Sequence, residues 1–174
     1  MSSSISLRAR VLLLLSLVGL FLFLASTVFP FLLEYRRTSF IFAADEVSYW
    51  SFKSSTQHFA LGEPSGPAAE YWFYNYWAEI DQYRTGLAAI LISMLLVQIL
   101  ILITSLLHIF TKKRPFAVAL VILGSIVITL MIGVNNSVSH LWSNSFDFGY
   151  VFAFPSLLIW VLISILSYAW KRAL

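Results

Sequence analysis

The 174-residue chain contains no cysteine, and Lys, Arg, Asp and Glu together make up only 11% of it. Without cysteine there is no disulfide, no thiolate zinc or iron–sulfur site, and no thiol redox chemistry. A four-helix thiol-redox enzyme is therefore excluded. The scarcity of charge excludes more. A soluble domain carries about 25% charged residues, so this chain cannot cover a globular surface with polar groups. A soluble enzyme, a nucleic-acid binder and a disordered tail all fall away. Also missing is any Asp, Glu, Lys, Arg or His deep inside the apolar runs, where pumps, proton relays and ion-coupled transporters place ionisable groups. There is no Gly-rich phosphate loop, Gly-x-Ser-x-Gly elbow or His-Glu-x-x-His motif.

What the chain does have is apolar length. It is 60% hydrophobic, with a mean hydropathy of +0.86. Four runs, Val11–Leu33, Gly86–Phe110, Phe116–Val134 and Phe148–Trp170, each approach the roughly 20 helical residues that span about 30 Å of hydrocarbon. Pro115 stands where a helix opens, and its missing N–H costs nothing there. The prediction is an all-α transmembrane fold: one four-helix membrane bundle over residues 1–174. The first run continues well past the 7–15 residues of a signal-peptide core, so it reads as an uncleaved anchor.

Charge sorts the connections. Arg8, Arg10, Lys112, Lys113, Arg114, Lys171 and Arg172 lie on one side with no acid among them. The other side carries Arg36, Arg37, Lys53 and Arg84 against eight acids. Positive-inside sorting then puts both termini in the cytoplasm of a multi-pass protein, expected in the cell membrane. The basic excess is thus a matter of topology, with membrane lipids as neighbours and no nucleic acid.

Helices in lipid associate through small residues and interhelical hydrogen bonds rather than hydrophobic drive. The second run carries Ser93 on a four-residue stripe, and the third carries Ser125, Thr129 and Gly133 on another. Only Thr111–Pro115 joins these runs, so they must form an antiparallel hairpin. Ser93, Gln98, Ser125, Thr129 and Gly133 are the expected helix-packing residues.

The outward segment 34–84 holds fourteen aromatic residues. Disordered segments are poor in aromatics, so this one is expected to fold against the helix ends, the second outward loop 135–147, lipid or a partner. Thr38–Phe42 and Val47–Phe52 read as a short β-hairpin joined by Ala43–Glu46. After the turn-rich Gly62–Pro67, Ala68–Phe110 reads as one long helix, or two with a kink near Gly86, opened by Ser65 and Pro67. Trp50, Tyr71, Trp72, Tyr74, Tyr76, Trp77 and Trp142 are the expected partner-binding residues, because Tyr and Trp dominate interaction hot spots; the equal alternative for the 71–77 run is the lipid head-group level, where Tyr and Trp are also enriched. No cofactor or metal site is expected. His58 and His140, with Asp45 or Asp147, match no metal-ligand spacing.

Inward termini, a long first outward segment and a short second one resemble the claudin-like tetraspan plan. Tyr49-Trp50-Ser51-Phe52 stands in a place comparable to that family's first-loop Trp motif, without the cysteines that accompany it there. The resemblance implies topology and transfers no functional residue. The leading expectation is a non-enzymatic accessory subunit or structural protein whose outward aromatic domain binds other membrane subunits or itself. The alternatives are a channel or facilitator for an uncharged or hydrophobic ligand, with Gln98 and the Ser/Thr faces lining a path, and a membrane enzyme using outward carboxylates and histidines.

Overall fold

A computed structural model describes residues 2–37, 43–61, 63–72, 85–139 and 143–172. In chain order the elements are α1 (Ser2–Val28), β1 (Leu32–Arg37), β2 (Ala43–Tyr49), β3 (Lys53–Ala60), β4 (Glu63–Pro64), β5 (Ala69–Trp72), α2 (Thr85–Thr111), α3 (Arg114–Ser139), β6 (Ser143–Phe146) and α4 (Phe148–Arg172). All four helices contain stretches long and apolar enough to cross a membrane. The protein is thus an integral membrane protein with a small sheet at one end of its bundle.

Buried positions recur at alternating spacings of three and four on every helix. They are Ser16, Gly19, Phe23 and Ser26 on α1, and Leu91, Met94, Gln98, Ile101, Ser105 and His108 on α2. On α3 they are Ala117, Leu120, Gly124, Val127, Met131 and Val134; on α4, Gly149, Ala153, Ser156, Trp160 and Ile163. That is the seam of a left-handed bundle with a near-3.5-residue repeat. The large apolar side chains between these positions, such as Leu14, Phe21, Leu96 and Ile122, are exposed. They form the lipid face.

Trp160 is the thickest element of the seam, and glycines make room for it. A Cβ at Gly19 would lie 2.9 Å from Trp160 Nε1, and one at Gly124 would lie 2.9 Å from Trp160 Cζ3. Phe23 packs on the same indole at 5.8 Å between centroids. Ser156 Oγ donates to Gly19 O at 2.9 Å, a buried interhelical bond. At Gly149 the backbone of α1's exit is so near that a Cβ would meet Phe29 O at 2.6 Å.

The α2–α3 hairpin is present, but its stripes are not where the spacing predicted. Ser93, Ser125 and Thr129 are exposed. Ser125 Oγ bonds Val121 O at 2.8 Å and Thr129 Oγ1 bonds Ser125 O at 2.9 Å, each within its own helix. Such back-bonding satisfies a hydroxyl that faces lipid. Gly133 is half-buried, and a Cβ there would meet nothing within 4 Å. The apolar seam, not the small-residue stripe, faces the neighbouring helices, because Leu and Met offer more contact there. The hairpin closes with Lys112 at φ 54°, whose N–H bonds His108 O at 2.7 Å. Left-handed residues end helices in this way.

The first span ends sooner than its apolar run. Pro30 lacks the N–H that a continuing helix needs, and Leu32 and Leu33 instead open β1. The sheet is wholly antiparallel, in the order β4-β3-β2-β1-β6, with β5 also on β3. β6 comes from the connection between α3 and α4 and pairs Leu32 with Phe146 and Glu34 with Asn144. The segment between α1 and α2 and the one between α3 and α4 therefore belong to one sheet. Two expectations are corrected. Ala43–Glu46 is not a connection but the first half of β2, and Lys53–Ala60 is its hairpin partner. Ala69–Trp72 is a strand rather than the start of a long helix, pairing Thr56 with Ala69 and Lys53 with Trp72. The capping signal at Ser65 and Pro67 is local; β-forming Tyr71 and Trp72 found an open strand edge instead. Residues 38–42 and 73–84, where the rest of these readings fell, lie outside the described residues.

Candidate interaction site at the bundle–sheet junction

β2 and β3 turn over at Trp50-Ser51-Phe52, held by Trp50 N donating to Lys53 O at 2.8 Å. This turn points back at the bundle. Trp50 Nε1 donates to Val28 O at 3.0 Å, one of the carbonyls that the end of α1 leaves without a helical partner. Ser51 is buried, and its Oγ donates to Oε1 of buried Gln98 on α2. Gln98, expected to bond another helix, thus bonds the sheet's turn.

One residue further on, Lys53 sits among aromatics. Its Nζ is 4.8 Å from the Trp50 ring centroid and 5.5 Å from that of Trp72, both within cation–π range. The Lys53↔Trp72 and Ser55↔Glu70 register brings Glu70 diagonally across, and Lys53 Nζ meets Glu70 Oε1 at 2.7 Å. Phe52 backs Trp72 at 5.9 Å between centroids. Trp72 keeps 38% of its surface exposed. The sheet has therefore gathered Trp50 and Trp72 around one cation. Tyr71 lies on β5 with its side chain outside the described set, and Tyr74, Tyr76, Trp77 and Trp142 are outside it altogether.

Beneath the turn runs a crevice of about 240 Å³ between α1 and α2, lined by Phe23, Leu24, Thr27, Ser51, Phe52, Leu95, Gln98, Ile99 and Leu102. Gln98 lies 13 residues above Thr111, about 20 Å along the axis. That is some two-thirds of the way from the basic end across the hydrocarbon.

Two polar pairs lie within the sheet, of which the sequence pattern brought only His58 and Asp45 together. Glu34, grouped above with the acids of the outward side, is only 1% exposed. Tyr49 Oη donates to its Oε2 at 2.6 Å. The signal was its place: two residues after buried Leu32, on the same face of β1. His58 Nδ1 faces Asp45 Oδ1 at 2.7 Å across the directly opposed β2–β3 pair. No group of three metal-ligating residues forms among the described residues, and His140 lies outside them.

The geometry defines a class: a four-span membrane protein whose sheet is docked into the mouth of its own bundle. No family model and no curated protein matches the chain. A more particular reading must come from the residues themselves.

Proposed function

We propose that the protein is a non-enzymatic accessory or structural component of a membrane assembly, in a claudin-like arrangement with both termini cytoplasmic. Its outward sheet binds another membrane protein or a second copy. The observation that carries this reading is the Trp50–Lys53–Trp72 cluster. A half-open indole held rigid by Phe52 and Lys53 offers large contact area at little ordering cost, the character of an interface anchor. Its place at the level of the α1 terminus suits a partner that is itself in the membrane.

The test is a co-purification from native membranes in mild detergent, comparing the wild type with Trp72→Ala. The expected result is a discrete complex that the variant loses, consistent with about 1–4 kcal/mol for a buried aromatic anchor. Correct insertion and a variant that still melts cooperatively near the wild type would show that the loss is one of association rather than of folding. A complex that survives Trp72→Ala intact would overturn the assignment of this face.

A further inference from the structure

The crevice under the Trp50–Phe52 turn contains a polar group for which the described residues supply one partner. Gln98 is 5% exposed. Its Oε1 is taken by Ser51 Oγ, whereas its amide nitrogen hydrogen-bonds to none of the described residues. If the amide is turned over, Ser51 engages the nitrogen and the oxygen is left. Either way one amide terminus remains for whatever occupies the crevice. A polar group that hydrocarbon leaves unsatisfied is costly.

The rest of the lining is apolar: Phe23, Leu24, Leu95, Ile99 and Leu102. Leu24 and Ile99 are 42% and 46% exposed, so this wall opens sideways to lipid. At about 240 Å³ the space is smaller than the roughly 300–1,000 Å³ of an enclosed small-molecule site. It suits one chain segment rather than a whole ligand. Helical side chains lean toward the N-terminus of their helix, which for Gln98 is the sheet end.

We propose that the crevice holds one acyl chain of a phospholipid from the sheet-side leaflet, with its ester carbonyl hydrogen-bonded to Gln98. The chain lies along Ile99 and Leu102, and the glycerol passes Leu95 so that the headgroup rests beside Lys53 and Trp72. The lipid completes the packing of α1 against α2 where the turn holds them apart. The inference rests on membrane insertion alone and stands whether or not the sheet binds a protein.

The experiment is native mass spectrometry of the full chain, delipidated and titrated with palmitoyl-oleoyl phosphatidylglycerol or its diether analogue. The wild type should retain one phospholipid per chain under activation that strips the remainder. It should prefer the ester lipid by about threefold, the size of a typical membrane hydrogen bond. Leu24→Trp and Ile99→Trp fill the crevice from exposed positions and should weaken retention at least tenfold. Ile122→Trp, on the lipid face of α3, should not. Gln98→Leu should abolish the ester preference. Equal retention in the two crevice variants, or no bound lipid in the wild type, overturns the site. Equal ester and ether binding in the wild type overturns the Gln98 contact. Should Gln98→Leu fail to fold, the wild-type ester-to-ether comparison and the two crevice variants still decide the matter.

Discussion

Tyr49 Oη lies 2.6 Å from Glu34 Oε2, diagonally across the β1–β2 ladder and almost wholly out of solvent. Leu32, Val47 and Tyr49 belong to the continuous apolar core that also holds Leu91, Met131 and Val134. A buried carboxyl tolerates this position because the phenol supplies a donor.

Tyr49→Phe keeps the ring and removes that donor. It should lower stability by about 1–3 kcal/mol, in line with the loss of a hydrogen bond to a buried polar group. Glu34→Gln, which can still accept from Tyr49, should cost less. Thermal unfolding of the detergent-solubilised chain measures both. A Tyr49→Phe variant as stable as the wild type would mean that the bond has no net worth.

Helix packing is checked by a pair of contrasting substitutions. Gly124→Ala places a methyl group against Trp160, and overpacking of that kind costs about 1–3 kcal/mol. Ser125→Leu, one residue along, points into lipid and should change stability by less than about 0.5 kcal/mol. Melting curves with the opposite ranking would return the small-residue stripe to the helix interface.

Topology is tested by charge. Replacing Lys112, Lys113 and Arg114 together with Gln removes the most basic connection between helices. Such a chain should show mixed orientation in reporter-fusion assays, while the wild type shows both termini cytoplasmic. A wild-type C-terminus outside the cytoplasm would reverse every assignment of side made here.

Lys53→Met retains the aliphatic stem but removes the charge between Trp50 and Trp72. The expected loss is about 0.5–2 kcal/mol, combining a cation–π term with a partly exposed ion pair. Intrinsic tryptophan emission should shift as the two indoles change surroundings. An emission spectrum and a melt both identical to wild type would remove Lys53 as the organiser of the cluster.

Much of the membrane plan was legible along the chain, and the reason is local. Hydrocarbon thickness demands long apolar runs, and charge is expelled from them, so Gly86–Phe110 and Phe148–Trp170 agree with α2 and α4 to within about two residues. The short connection at Lys112 and Lys113 forces α2 and α3 together because so few residues cannot carry the chain to a distant helix. The first run misled at its end, because hydropathy does not distinguish Leu32 in a strand from Leu32 in a helix.

Composition and charge spacing thus determined by themselves that this is a four-span membrane protein with seven of its eleven basic residues at one end. Only tertiary structure decided which helix faces meet, because Gly19 and Gly124 acquire meaning from Trp160, 141 and 36 residues away in sequence. It also turned Glu34 inward onto Tyr49, made Ala69–Trp72 a strand by offering it the edge of β3, and set Lys53 between two indoles. Each of these depends on a partner distant in the chain. A local pattern records what a residue prefers, whereas the energy of the contact belongs to the pair.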